Sequence, residues 1–138
     1  MTIRIQNDVY AYTSNIIMST INNLHVVSYN CAGVKNKLPI ISKMSNESNI
    51  IFLQETWLLP NELGILNGIN SDFNSFSISS VDLESGVLVG RPYGGLSVMW
   101  NKCLSPVCQV VTFDDNRILG ITITIDAAKY LLINVYRI

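Results

Sequence analysis

Glu55 stands directly after a run of four apolar residues and a glutamine, Ile50-Ile51-Phe52-Leu53-Gln54. Asn49 before the run and Pro60 after it mark out a short strand buried on both faces. A carboxylate at the tip of such a strand is costly unless it is paired or holds a metal, the plainer alternatives being a salt bridge or a helix cap. Asn30, the last polar residue of an earlier strand pattern, adds an amide oxygen. Hard cations such as Mg²⁺ take oxygen ligands and often bind through one or two carboxylates completed by water and substrate phosphate. Tyr136, at the end of the last strand pattern, could donate a hydrogen bond to a phosphate oxygen; a surface tyrosine at a strand end is the bland alternative. In Gly90-Arg91-Pro92-Tyr93-Gly94-Gly95 the glycines let backbone amides approach an anion, and Arg91 brings charge to a substrate phosphate. No helix follows, so this is not a nucleotide loop, and a flexible turn before a strand is the alternative.

The elements that must position these groups can be read from periodicity. Leu24 to Asn30 is a strand, and Cys31-Ala32-Gly33 turns the chain out of it. From Lys35 to Glu47, Leu38, Ile41 and Met44 recur every three residues on one helical face, with Pro39 in the first turn. The strand from Ile50 follows. Strand, helix, strand in that order implies a right-handed crossover between parallel strands, so Asn30 and Glu55 are expected on one sheet rim, where α/β sheets place ligands.

Pro60 to Asn67 reads as a short helix with Asn61 as N-cap, and Asn74 to Val81 as a half-exposed strand. Gly94 to Trp100 is a strand with Leu96, Val98 and Trp100 on one face, and Val107 to Phe113 is another. Asp114-Asp115-Asn116 is turn chemistry. Arg117 to Ile125 and Tyr130 to Tyr136 read as an antiparallel hairpin across the Asp126–Lys129 turn. Residues 1–23, interrupted by Asn7, Asn15, Asn22 and Asn23, read as a weakly structured leader before one domain over 24–138.

Composition narrows the function classes. The 138 residues are 49% hydrophobic and only 14% charged, which suits a piece of something larger. A net charge of −1 and a pI near 5.7 leave no basic field, so any role on nucleic acid has to rest on a site. Cys31, Cys103 and Cys108 make an odd count with no histidine at zinc spacing, consistent with reduced thiols in an intracellular protein. No apolar run approaches the ~20 residues of a membrane span, and the N-terminus lacks the pattern of a secretory signal. The single histidine, His25, sits inside a strand and reads as structural.

In order and spacing, Ser28-Tyr29-Asn30-Cys31-Ala32-Gly33 and Ile51-Phe52-Leu53-Gln54-Glu55-Thr56-Trp57 resemble the endonuclease/exonuclease/phosphatase superfamily, the DNase-I-like fold. Gly90 to Trp100, Asn116-Arg117-Ile118-Leu119-Gly120 and Ile133-Asn134-Val135-Tyr136 continue the series. Taken together they look most like the apurinic-type endonuclease domain of non-LTR (LINE-type) retrotransposons. The resemblance implies a four-layered α/β (α+β) sandwich, here its N-terminal half. It implies Asn30 and Glu55 as metal-site residues and, with Tyr136, as catalytic residues. It implies Mg²⁺ or Mn²⁺ as cofactor and DNA as substrate, nicked so that a 3′ hydroxyl primes reverse transcription, with the nucleus as the place of action.

The family's later Asp-x-Asn motif and terminal Asp-His pair have no counterpart, and His25 precedes the first motif. The expectation is therefore a chain that is inactive alone, whose partners would be the second half of the domain and a reverse transcriptase, with no membrane. Two other functions compete: a non-catalytic remnant or interaction module, and a phosphatase-type member of the superfamily. The retroelement-like stretch before Trp100 argues against the phosphatase.

Overall fold

The computed structural model describes residues 9–13, 16–21, 23–81 and 93–136. Two sheets pack face to face. The larger has six strands in the order β1-β2-β3-β4-β6-β5, and the smaller has three in the order β7-β8-β9. In chain order these are β1 (Val9–Thr13), β2 (Ile16–Ile21), β3 (Leu24–Asn30), β4 (Ile50–Gln54), β5 (Phe73–Ile78), β6 (Leu96–Asn101), β7 (Cys108–Thr112), β8 (Ile118–Ile125) and β9 (Ala128–Val135). The single α-helix among the described residues, α1 (Leu38–Glu47), links β3 to β4 after a 3₁₀ turn at Val34–Asn36, with Pro39 at its start as the sequence suggests. No described helix is long and apolar enough to cross a membrane.

β3 and β4 are parallel, pairing Val26 with Ile50 through Asn30 with Gln54. Every residue of β4 is buried, because both faces of the strand are covered. On one face Ile51 and Leu53 join Val27, Tyr29, Ile41 and Leu66, under α1 and the 3₁₀ turns. On the other, Ile50 and Phe52 join Val26, Leu96 and Val98 and meet Leu119, Ile121, Ile123 and Leu132 of the small sheet. The alternation of Ile121, Ile123 and Ile125 with threonines thus turns the isoleucines inward. The β8–β9 hairpin closes on Asp126 and Ala127, both with positive φ (50° and 65°), as the right-handed twist of a two-residue turn requires.

Two sequence expectations change. Residues 9–13 and 16–21, expected within a weakly structured leader, form two antiparallel strands on the free edge of β3. The β-branched run from Ile16 to Ile21 finds there the ladder that its asparagine-broken period concealed. Pro60 to Asn67 is two 3₁₀ turns, Pro60–Glu62 and Ile65–Gly68, rather than one helix. The N-cap position of the first is Leu59, whose backbone N–H donates to Glu62 Oε1 at 3.1 Å, and not Asn61.

The face of the small sheet turned away from the core carries Val111, Ile118, Leu131, Ile133 and Val135, and none of them belongs to either buried cluster. Leu131 and Phe113 are 48% and 41% exposed. Among the described residues β9 pairs only with β8, so its other edge offers open backbone groups. An apolar face beside an open edge favours self-association. The chain is expected to elute from size-exclusion chromatography well above its 15.4 kDa monomer mass. Leu131→Glu should shift it towards the monomer. A monodisperse wild-type monomer would contradict this.

Candidate active site

The parallel pairing of β3 and β4 sets Asn30 and Glu55 at the same edge of the large sheet. Beyond the last ladder pair the two chain segments stay joined: Cys31 N–H donates to Gln54 O, Gly33 N–H to Glu55 O and Val34 N–H to Thr56 O, at 2.8–3.0 Å. On the other flank Thr56 N–H and Trp57 N–H donate to the carbonyls of Gly95 and Gly94 at 3.3 and 3.0 Å. Three loops are thereby laced into one rim around the end of β4.

This rim holds most of the left-handed backbone of the described chain. Ala32 (φ 45°), Gly33 (99°), Glu55 (52°), Trp57 (57°), Gly94 (86°) and Gly95 (90°) all lie in it. For Glu55 and Trp57, which have side chains, that conformation costs about 1–3 kcal/mol each and persists only where surrounding contacts fix it. Gly33 is required, because a Cβ there would sit 2.8 Å from Trp57 Cε3. The effect at Glu55 is to turn a carboxylate out of a fully buried strand into a half-buried position.

A polar bridge between the sheets brings Tyr136 to that carboxylate. Gln54 and Asn134, both completely buried, meet across the interface, with Gln54 Nε2 donating to Asn134 Oδ1 at 2.8 Å and to Ser28 Oγ at 3.0 Å. Asn134 Nδ2 donates to the carbonyls of Leu53 (3.0 Å) and Ser97 (3.1 Å). Each amide lies next to, or two residues before, a site residue. Tyr136 Oη then donates to Glu55 Oε1 at 3.2 Å, and Tyr136 N–H donates to Arg117 O at 2.9 Å. Burial first, then the negative charge of Glu55 and the hydrogen bond to it, push the Tyr136 phenol above its ordinary value. It therefore stays a neutral donor at physiological pH.

Glu55 has no cationic partner among the described residues, so the salt-bridge alternative finds no support there. A half-buried carboxylate whose described partner is a neutral phenol, at the same sheet edge as an asparagine, fits a hard cation whose shell water completes. Among the described residues no three of His, Cys, Asp and Glu cluster as a metal site. His25 lies at the opposite end of β3 from Asn30. Arg91 falls outside the described residues. Cys31 is buried, and its thiol, donating to the carbonyls of Gln54 and Glu55, is pushed up to about 12, chiefly by burial, so it is inert. Asp114 and Asp115 are in a turn; Asp115 holds Arg117 in a two-pronged ion pair, Nε to Oδ1 at 3.0 Å and Nη2 to Oδ2 at 2.8 Å.

Sequence reasoning did not assign roles to Gln54, Asn134, Trp57 or Tyr93. The Trp57 and Tyr93 rings meet edge to face, with centroids 5.4 Å apart. A polar residue inside an otherwise apolar strand, as at Gln54 and Asn134, was the available signal for the bridge.

The Tyr136–Glu55 contact has an alkaline signature. A phenol whose folded value is raised contributes stability that is full below its unfolded value, near 10, and is lost as pH rises through the folded value. The difference in phenolate absorbance between wild type and Tyr136→Phe should show Tyr136 ionising above about 10. Glu55→Gln should lower that value part of the way. An ionisation at the ordinary value, or one unmoved by Glu55→Gln, would contradict the contact.

No family model matches the sequence, and no curated protein matches it. Solved structures do. The chain superposes on the AP endonuclease LMAP from Leishmania major with a TM-score of 0.57 at 15% identity, over 80% of this chain and 39% of that one. It superposes on the 3′ phosphatase NExo from Neisseria, bound to product DNA hairpin, with a TM-score of 0.54 at 18% identity, over 82% of this chain and 41% of that one. The chain thus spans about two fifths of the length of the structures it resembles. Its mixed α/β fold of two facing sheets is similar to the corresponding part of a DNase-I-like AP endonuclease.

Proposed function

We propose that this chain carries the metal-holding part of a Mg²⁺- or Mn²⁺-dependent phosphodiesterase that acts on DNA, of the kind that nicks target DNA for a non-LTR retroelement. The observation that carries the reading is the Glu55 carboxylate, held in left-handed backbone at a buried strand end on the same sheet edge as Asn30, with the Tyr136 hydroxyl hydrogen-bonded to it. The likeness of the fold to an AP endonuclease and a 3′ phosphatase supports it.

Glu55 and the Asn30 amide oxygen would hold the cation. Bound there, it would supply a Lewis acid that withdraws charge from the phosphoryl oxygens. Tyr136, kept protonated by its surroundings, gives its one hydroxyl proton to Glu55 here. With a cation holding the carboxylate, that proton would be free to turn to the phosphate oxygen on which negative charge grows. A water-activating base is a separate requirement: one carboxylate and one asparagine cannot both hold a metal and deprotonate water. A second reading, removal of a 3′ phosphate, draws on the likeness to NExo and needs the same metal and phenol.

Mn²⁺ titration followed by electron paramagnetic resonance is expected to show one site in the wild type, weakened at least tenfold, about 1.4 kcal/mol, by Glu55→Gln. Binding that is unaffected by Glu55→Gln would overturn the assignment. With Mg²⁺ and supercoiled plasmid, the chain alone should nick no faster than Glu55→Ala. Clear Glu55-dependent nicking would mean that other groups, such as Asp114 or Asp115, complete the site. Glu55-dependent release of phosphate from a 3′-phosphorylated oligonucleotide, without nicking, would favour the second reading.

A further inference from the structure

Beside the Glu55 rim lies a cavity of about 300 Å³ lined by Ser80, Gly94, Gly95, Asn116, Arg117 and Tyr136, among others. Its glycines have left-handed backbone, and a Cβ on Gly94 would sit 2.9 Å from Ser80 Oγ, so the wall is built to be bare. Tyr136 belongs to both places. Its hydroxyl touches Glu55, and its Cε1 is 3.7 Å from where a Cβ of Gly94 would be. The backbone bond from Tyr136 N–H to Arg117 O fixes the base of the Arg117 side chain next to it.

Arg117 is the one cation lining this cavity among the described residues, and its side chain is 53% exposed. Asp115 takes two of the guanidinium's five N–H donors. The side-chain hydrogen bonds from Arg117 hold the Asp115 carboxyl down at about 2, so it remains charged under all ordinary conditions. Protonation therefore cannot release Arg117. A competing anion can, because a phosphate oxygen meets the same planar fork that a carboxylate does.

We propose, building on the phosphodiesterase reading, that this cavity is a second phosphate subsite, which holds through Arg117 and Asn116 a neighbouring phosphate of the polynucleotide strand whose reacting phosphate lies at Glu55, and that Asp115 is a built-in competitor that weakens it. A ligand that spans both places must carry two acidic groups a short distance apart, as a strand does and inorganic phosphate does not. The competitor has a use in an acidic chain. It makes Arg117 available only to a ligand already held at the neighbouring position, so stray single anions gain little.

The test is binding of a fluorescein-labelled single-stranded oligodeoxynucleotide to the full chain in EDTA, read by anisotropy across a salt series. Each phosphate neutralised adds about 0.7 to the salt slope for a single strand. R117Q should weaken binding about tenfold and reduce the slope by about that amount, while R117K keeps the slope. D115N should tighten binding several-fold in the wild-type background and by clearly less in R117Q, where only the direct repulsion between carboxylate and strand is relieved. Inorganic phosphate should compete only at concentrations far above those of strand phosphate, equally in wild type and R117Q. Strand binding with an unaltered slope in R117Q would overturn the subsite and leave the metal-site reading standing. A D115N gain of the same size in the R117Q background would overturn the competitor. Failure to bind the strand at low salt would overturn both the subsite and the phosphodiesterase reading.

Discussion

The hydrogen bond between the buried amides of Gln54 and Asn134 is the constraint on which the site depends. Gln54 ends the central strand of one sheet and Asn134 lies near the end of the edge strand of the other, eighty positions apart in the chain. Hydrophobic contact alone would let two sheets slide, since it has no direction. The amide pair does not. Asn134 is gripped at its oxygen by Gln54 and at its nitrogen by the carbonyls of Leu53 and Ser97, so each link works at one register only. A shift of one residue would bury several unpaired polar groups, at about 1–3 kcal/mol each.

That register decides the chemistry. Glu55 follows Gln54 directly, and Tyr136 lies two residues beyond Asn134, on the same side of its strand. Fixing the amides fixes the carboxylate against the phenol. The left-handed turn at Glu55 then swings its side chain out of the buried strand, and Gly94 and Gly95 let the flanking loop close against it. Backbone strain here is stable because the core beneath it is strong. Ile50, Ile51, Phe52 and Leu53 are all fully buried.

Much of this scaffold can be read in the residues themselves. The i, i+3 spacing of Leu38, Ile41 and Met44 between two apolar runs is enough for a parallel crossover, and with it the common rim of Asn30 and Glu55. The alternating isoleucines of β8 are enough for the hairpin. Strands β1 and β2 are not legible, because their period is weak and the free edge of β3 that recruits them is a tertiary feature. Nor is the single-helix reading of Pro60 to Asn67 corrected by pattern, since 3₁₀ turns share the composition of a short helix. The roles of Gln54 and Asn134 escape for a different reason. A lone polar residue in a strand reads as an outward-facing position until the opposing sheet is known. The contact between Asp115 and Arg117 has local spacing, but its place between a turn and a cavity next to Tyr136 depends on how the small sheet lies over the large one.

The central claim, that the amide bridge sets the register of the two sheets, is tested most directly by a double-mutant cycle of Gln54→Ala and Asn134→Ala on unfolding free energy. The account predicts a coupling of about 1–3 kcal/mol, because removing Gln54 leaves Asn134 Oδ1 buried without its donor and removing Asn134 takes one of the two acceptors of Gln54 Nε2, and removing the second amide then costs less. Losses that simply add, to within about 0.5 kcal/mol, would mean that the two amides do not act on one another and would contradict it.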